Sequence, residues 1–219
     1  NMATANTDET IQGIEEKIAP RLASHSDDIY LNQKLFARVE SLWQQRTQQA
    51  WSEEQQRLLK EYHENFVRAG ARLNDQQQIR VRAINEELSS LTTQFQQNLL
   101  AITKERGVLV DDVNQLDGMS AADLAAAKEA AQTKGHAGKY LLAITNTTRQ
   151  PVLISLRNRD MRKRVWLASA NRGLGEAGGL DNRDLVLKIA RLRAERAKLL
   201  GYASHAAFTL ENQMAAKPE

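Results

Sequence analysis

Apolar residues recur at helical spacing from Ile11 to Ile102, broken only by short polar stretches. Ile11, Ile14 and Ile18 form one stripe behind Thr7 or Asp8, either of which can cap a helix. That helix is expected to run through Pro20, with a kink, toward Leu22. Asp27-Asp28-Ile29-Tyr30-Leu31-Asn32 reads as a break. Leu35, Phe36, Val39, Leu42 and Trp43 then mark a second helix. Ser52, with Gln55 or Gln56 nearby, starts a third that carries Leu58, Leu59, Tyr62, Phe66 and Val67 and stops near Gly70. The longest helix starts at Asn74 or Asp75, with Ile79, Ile84, Leu88, Leu91, Phe95, Leu99 and Ile102 as its seam. Two long helices joined at Gly70 predict an antiparallel hairpin.

After Gly107 the pattern changes. Val108-Leu109-Val110 is a short β-branched run closed by Asp111-Asp112. Asp117-Gly118 marks a turn, and Ser120 with Asp123 caps an Ala-rich helix that Gly135 and Gly138 end. Tyr140 to Thr145 reads as a second strand able to pair with the first. Gln150-Pro151 is expected to open a helix through Leu153, Leu156 and Met161. A basic helical stretch follows from Arg162 to Asn171, then a Gly-rich loop from Gly173 to Gly179. Asp181 caps a helix carrying Leu185, Ile189, Leu192 and Leu199, and Ser204 caps the last. The expected fold class is mainly α: a multi-helix bundle with long antiparallel helices and a small two-stranded β element. Residues 1–219 read as a single helical region, with a point of subdivision near residue 107.

Composition adds limits. Only 5% of residues are aromatic, and Ala, Leu, Gln, Arg and Glu dominate, which favours helix. The chain has no cysteine, so disulfides and thiolate metal sites are excluded; this fits a reducing, cytoplasmic setting. No apolar run is long enough to cross a membrane. The start, NMATANTDET, has neither a basic nor an apolar leader region, and it begins at Asn1, as expected of a chain cut from something longer. A net charge of +3 is mild and reads as a mixed solvated surface, not a nucleic-acid footprint.

Candidate chemistry is sparse. His63-Glu64 begins like the zinc motif H-E-x-x-H, which needs a second imidazole one helical turn on. That position is Val67, so His63 reads as a surface or boundary histidine. His25, His136 and His205 are isolated. Gly173, Gly175 and Gly178 match G-x-G-x-x-G, but the order is helix, loop, helix, where a phosphate cradle needs a strand in front. The basic runs Arg157, Arg159, Arg162, Lys163, Arg164 and Arg183, Lys188, Arg191, Arg193, Arg196, Lys198 are interrupted by acids and read as solvated faces or salt-bridging surfaces. There is no nucleophile elbow. The pairs Asp27-Asp28, Asp111-Asp112 and Glu53-Glu54 suit loops and helix starts. No catalytic, cofactor-binding or metal-ligating residue is assigned.

The tail from Leu180 to Glu219 carries a polar cap, an Arg/Lys-rich amphipathic helix, the Leu199-Leu200-Gly201-Tyr202 break, and a last helix running to Met214-Ala215-Ala216-Lys217-Pro218-Glu219. It resembles the non-catalytic helical region of the thimet-oligopeptidase-like zinc metallopeptidases, within them the bacterial peptidyl-dipeptidase branch. Asp28 to Val39, Phe66 to Leu73, Leu91 to Leu100, Gln115 to Ser120 and Thr145 to Pro151 resemble the same branch, in order along the chain.

The resemblance implies a clam-like helical peptidase with a deep channel, releasing C-terminal dipeptides from short peptides with the help of zinc. It places this chain in the N-terminal part, before the zinc motif, as a channel-walling segment inactive alone. The expected partners are the remainder of the parent peptidase and, in the full enzyme, short peptides; nucleic acid and membrane are not expected. Faces meant for the missing parts would favour self-association. The alternative is a free-standing helical interaction module without peptidase activity.

Overall fold

The computed structural model describes residues 7–175 and 179–218. The first six residues and the third glycine of the Gly-rich loop, Gly178, lie outside them. The structure is mainly α, with one small antiparallel sheet. The chain divides into two compact units, one formed by Asn1–Gln94 with Leu185–Glu219, the other by Phe95–Asp184.

The first unit opens with α1 (Glu9–Tyr30), capped by Asp8, whose carboxylate accepts from the Ile11 N–H at 2.8 Å. The helix passes through Pro20 and also through Asp27 and Asp28, so the expected break contracts to Leu31 and Asn32. The reason is tertiary. Asp27 faces inward and accepts a hydrogen bond from Asn85, so its side chain does not compete for the local backbone. Asn32 caps α2 (Gln33–Gln44). Ser52 and Gln55 form a reciprocal capping box at the start of α3 (Glu53–Ala69). Gly70 ends α3 at φ 111°, and its N–H reaches the Phe66 and Val67 carbonyls.

α3 packs on α2 through Phe36, which stacks on Phe66 at 5.9 Å, and on α1 through Tyr30, which meets Phe66 edge-on at 5.2 Å. The hairpin drawn at Gly70 thus has its aromatic seam on the preceding helices. The long helix is α4 (Asp75–Glu105). Its buried seam within the first unit is Val81, Ile84, Leu88 and Leu91, at steps of three and four. Ile79, expected on that seam, is 68% exposed, because it stands five positions before Ile84 and so off the stripe. The unit is completed by α8 (Arg183–Leu199), which starts at its border, and α9 (His205–Leu210), capped by Ser204.

In the second unit β1 (Gly107–Val110) pairs antiparallel with β2 (Tyr140–Ala143), Gly107 opposite Ala143 and Val110 opposite Tyr140. Between them come a 3-10 turn (Val113–Leu116) and α5 (Ala121–Thr133), capped by Ser120. Then follow α6 (Asn146–Ser155) and α7 (Arg159–Ala170). The helix expected from Gln150 to Met161 is in fact two. Thr145 caps the first, accepting from the Thr148 N–H, and Asn158 caps the second, accepting from Asp160 and Met161. Pro151 lies inside α6 and forfeits one ladder bond, to the Thr147 carbonyl.

One core joins Val108, Val110, Leu116, Leu142, Ile144, Val152, Leu156, Met161 and Val165. Gly118 seals the turn beside it: a Cβ there would lie 2.1 Å from the Ser155 carbonyl oxygen, at a φ of 98°, so only glycine fits. Among the described residues, no helix is long and apolar enough to cross a membrane.

Candidate functional site

The chemistry-bearing side chains of the first unit fall into two groups. One centres on His63. This histidine is buried, 6% exposed, which corrects the expectation of a surface or boundary residue. Its Nε2 lies 2.9 Å from Glu40 Oε2 of α2, and its ring stacks on Trp43 at 4.4 Å with 10° between the planes. Arg46 covers the Trp43 ring at 4.1 Å. Arg72 donates to the same carboxylate at 3.3 and 3.4 Å. Burial alone would raise the Glu40 carboxyl, but the hydrogen bonds from His63 and Arg72 outweigh it and hold the group below its ordinary range. The side chain that looked like half a zinc motif makes a structural hydrogen bond to Glu40 that ties α3 to α2.

The second group surrounds a cavity of about 540 Å³ lined by residues of α1, α3, α4, α8 and α9. On one wall Asp27 is 6% exposed. Its Oδ1 accepts from Asn85 at 2.8 Å, and Asn85 Oδ1 accepts from Arg196 Nη1 at 2.9 Å. Asp27 Oδ2 and Arg196 Nε are buried without hydrogen-bond partners. Burial raises the Asp27 carboxyl above its usual value, against the lowering pull of Asn85 and Arg82. Burial, then the neighbouring Arg193, lowers Arg196. His205 is lowered by burial and by the same two arginines, Arg193 and Arg196, and its Nδ1 is also buried without a partner. Phe208 lies between Arg68, at 4.6 Å, and Arg196, at 5.5 Å. Arg68 itself is held by Glu211 and by the Phe208 carbonyl.

A neighbouring cavity of about 730 Å³, between α3 and the residues after α9, has its charges matched: Arg57 with Glu61, Lys60 with Glu64 and Arg68 with Glu211. An apolar groove of about 330 Å³ runs between Val39, Leu42, Leu58, Leu59 and Tyr62.

The remaining sequence candidates do not assemble. His25 and His136 are exposed. Gly173 and Gly175 take positive φ angles in a loop between α7 and α8, closed by Asn182 N–H on the Gly173 carbonyl at 2.7 Å. The basic stretches are held in pieces. Arg157 faces Asp117, Arg164 donates to the Leu109 carbonyl, Arg183 forks onto Asp181, and Glu195 takes Arg80. Arg196, read as part of a solvated face, is the exception that turns inward. Sequence reasoning missed the Asp27–Asn85–Arg196 chain because its members lie on three helices. The available signal was the spacing of Arg193 and Arg196, which puts both on one face of α8.

Zinc, which the resemblance implies for the full enzyme, does not fit here. Among the described residues no group of three His, Cys, Asp or Glu could hold a metal ion, and the position one turn after His63 is Val67.

Comparison with known proteins relates the chain to a family. The model of peptidase family M3 matches residues 152–219. A dipeptidyl carboxypeptidase of Escherichia coli is 38% identical over 218 residues, covering 100% of this chain and 32% of the relative. The dipeptidyl carboxypeptidase of Salmonella typhimurium is 39% identical, with the same coverage. A probable cytosolic oligopeptidase A of Arabidopsis thaliana is 32% identical over 75% of the chain and 24% of its own length. Residues 152–219 thus carry the model of peptidase family M3, and the whole chain is similar to dipeptidyl carboxypeptidases. It spans about a third of the length of the dipeptidyl carboxypeptidases it matches.

Proposed function

We propose that this chain is the N-terminal helical region of a cytoplasmic, zinc-dependent peptidyl-dipeptidase that releases C-terminal dipeptides from short peptides. In that role it walls the substrate channel and contributes no catalytic residue. The observation that carries this reading is the 38% identity to a dipeptidyl carboxypeptidase across the whole chain. The partner is the rest of the same peptidase, which holds the zinc, and the substrates are short peptides. Two features support a role inside a larger body: the exposed apolar stripe Ile14, Ile18 and Leu22 on α1, and the apolar groove between α2 and α3. The same surfaces suit a free-standing interaction module, the second reading.

The test is release of a C-terminal dipeptide from a short N-blocked peptide. It compares this chain with a chain extended along its reading frame to an H-E-x-x-H segment, with and without added zinc. Cleavage by the longer chain alone is the expected result. Zinc-dependent, chelator-sensitive cleavage by the 219-residue chain would overturn the scaffold role. Absence of cleavage by both would leave the interaction module.

A further inference from the structure

Among the described residues, the cavity bordered by Asp27, Asn85, Arg193 and Arg196 carries more positive than negative charge, with Asp27 as the acid in its lining. Arg68, on its rim, is neutralised by Glu211. Arg82, which acts on Asp27 from outside, is occupied by Asp28 at 2.8 Å. Among the described residues, Arg196 hydrogen-bonds to no carboxylate. Its hydrogen bond goes to the neutral Asn85, its Nε is buried and unpaired, and its flat face rests on Phe208. Arg193, three residues earlier on α8, lines the same cavity beside it. The imidazole of His205 lies in the field of both, with a buried, unpaired Nδ1. Two guanidinium groups on neighbouring turns of one helix repel each other, and the partial burial of Arg196 adds to the cost. The one acid of the cavity, Asp27, is separated from Arg196 by the side chain of Asn85, so it does not form an ion pair with it. Val81, Leu88, Leu200 and Phe208 give the cavity an apolar lining beside these groups. A volume of about 540 Å³ is within the range that holds a small ligand.

We propose that this cavity is a binding site for a small amphipathic carboxylate. Its carboxylate seats on Arg193 and Arg196, and its aliphatic or aromatic body lies against Leu88, Leu200 and Phe208. Paired guanidinium donors on one helix face suit the two oxygens of a carboxylate. The apolar lining distinguishes such a ligand from a bare inorganic anion, which would gain nothing there. The site is independent of the peptidase reading, because it uses no metal and no scissile bond.

The test uses the 219-residue chain and titrates it with N-acetyl-leucine, followed by calorimetry and by the NMR signal of the His205 imidazole. Saturable one-to-one binding is expected. The His205 signal should titrate at higher pH in the bound chain, since the added negative charge offsets the arginines that depress it. N-acetyl-leucinamide, with the same body and no charge, should not bind. Arg193→Gln, on an exposed part of α8, should weaken binding by about tenfold or more while leaving the fold intact. Arg196→Gln should do the same, with circular dichroism to confirm folding. Three results would overturn the proposal: no saturable binding, equal binding of the amide, or affinity unchanged in Arg193→Gln. Tighter binding of inorganic phosphate than of N-acetyl-leucine would overturn it too, in favour of a phosphate site.

Discussion

In the unit formed by Phe95–Asp184, both strands, the 3-10 turn and three helices send their apolar residues into one cluster around Leu142, Ile144 and Met161. In the unit formed by Asn1–Gln94 and Leu185–Glu219, burial is patchier. Phe36, Phe66 and Ala71 make a small cluster. Val81, Ile84 and Leu88 are buried along α4, two of them bordering the 540 Å³ cavity. Meanwhile Ile14, Ile18 and Leu22 on α1, with Leu42, Leu58 and Tyr62 on α2 and α3, remain exposed. A two-stranded sheet has two faces for helices to cover, so short elements can close a core around it. Long helices each carry an apolar stripe, and a stripe without a facing helix stays open. The second unit therefore gathers its short elements around one core, while the first keeps open apolar stripes beside its buried residues.

A large-to-small substitution in each unit tests that contrast, and here the largest effect is expected. Leu116 is 1% exposed within the sheet core, so Leu116→Ala should cost toward the upper end of about 2–5 kcal/mol. Leu88 borders a cavity and already lacks neighbours on one side, so Leu88→Ala should fall toward the lower end of that range. Urea unfolding monitored by hydrogen exchange assigns each loss to its unit. Equal costs at the two sites would break the comparison.

How much of this was legible in the sequence follows the same division. Local signals carried the second unit well. The β-branched run at Val108 to Val110, the Ser120 cap and the Gly118 turn all state their conformation within a few residues. In the first unit the errors came where a distant partner decides the outcome. Asp27-Asp28 looks like a loop signal, but Asp27 is buried against Asn85, which lies 58 residues further on. His63 looked like a surface residue because Glu40 and Trp43, its partners, belong to the previous helix. One error was local and fell in the second unit: Thr145 was read as the end of a strand, yet its hydroxyl accepts from the Thr148 N–H and caps α6. The cavity shows the extreme case. Asp27, Asn85 and Arg196 form no motif in the sequence, and only the packing of three helices makes them neighbours.

The His63–Glu40 pair gives a pH-dependent way to sharpen the contrast, of intermediate size. Glu40 titrates below its ordinary value in the folded chain. A carboxylate with a depressed folded-state pKa contributes stability above its unfolded pKa, about 4.5, and that contribution is lost as pH falls through the lower, folded-state value. Acid should thus weaken the first unit through this group, in the window just below pH 4.5. Glu40→Gln should remove that part of the acid sensitivity. At neutral pH it should cost about 1–3 kcal/mol, since buried His63 loses its charged acceptor. Protection of α2 and α3 amides measured against pH is the readout; an unchanged acid profile in Glu40→Gln would detach the pair from the unit's stability.

The smallest change in stability is expected on the open stripe of α1, where Leu22 is 62% exposed. Ile18→Lys with Leu22→Glu replaces two side chains that touch little, so unfolding free energy should shift by no more than about 0.5 kcal/mol. Solution behaviour should change more than stability does. An exposed apolar row on a helix favours association with another apolar surface, and two charges set one turn apart disrupt it. Sedimentation should show self-association of the unaltered chain that rises with concentration and is lost in the double variant. The matching control is Ile154→Lys in the second unit: Ile154 is 79% exposed, projecting from a helix whose core face is already covered. That change should leave both stability and association as they were. If Ile154→Lys abolished association and the α1 pair did not, the open surface that matters would belong to the second unit, and the contrast between a closed core and an unfinished helical face would have to be reversed.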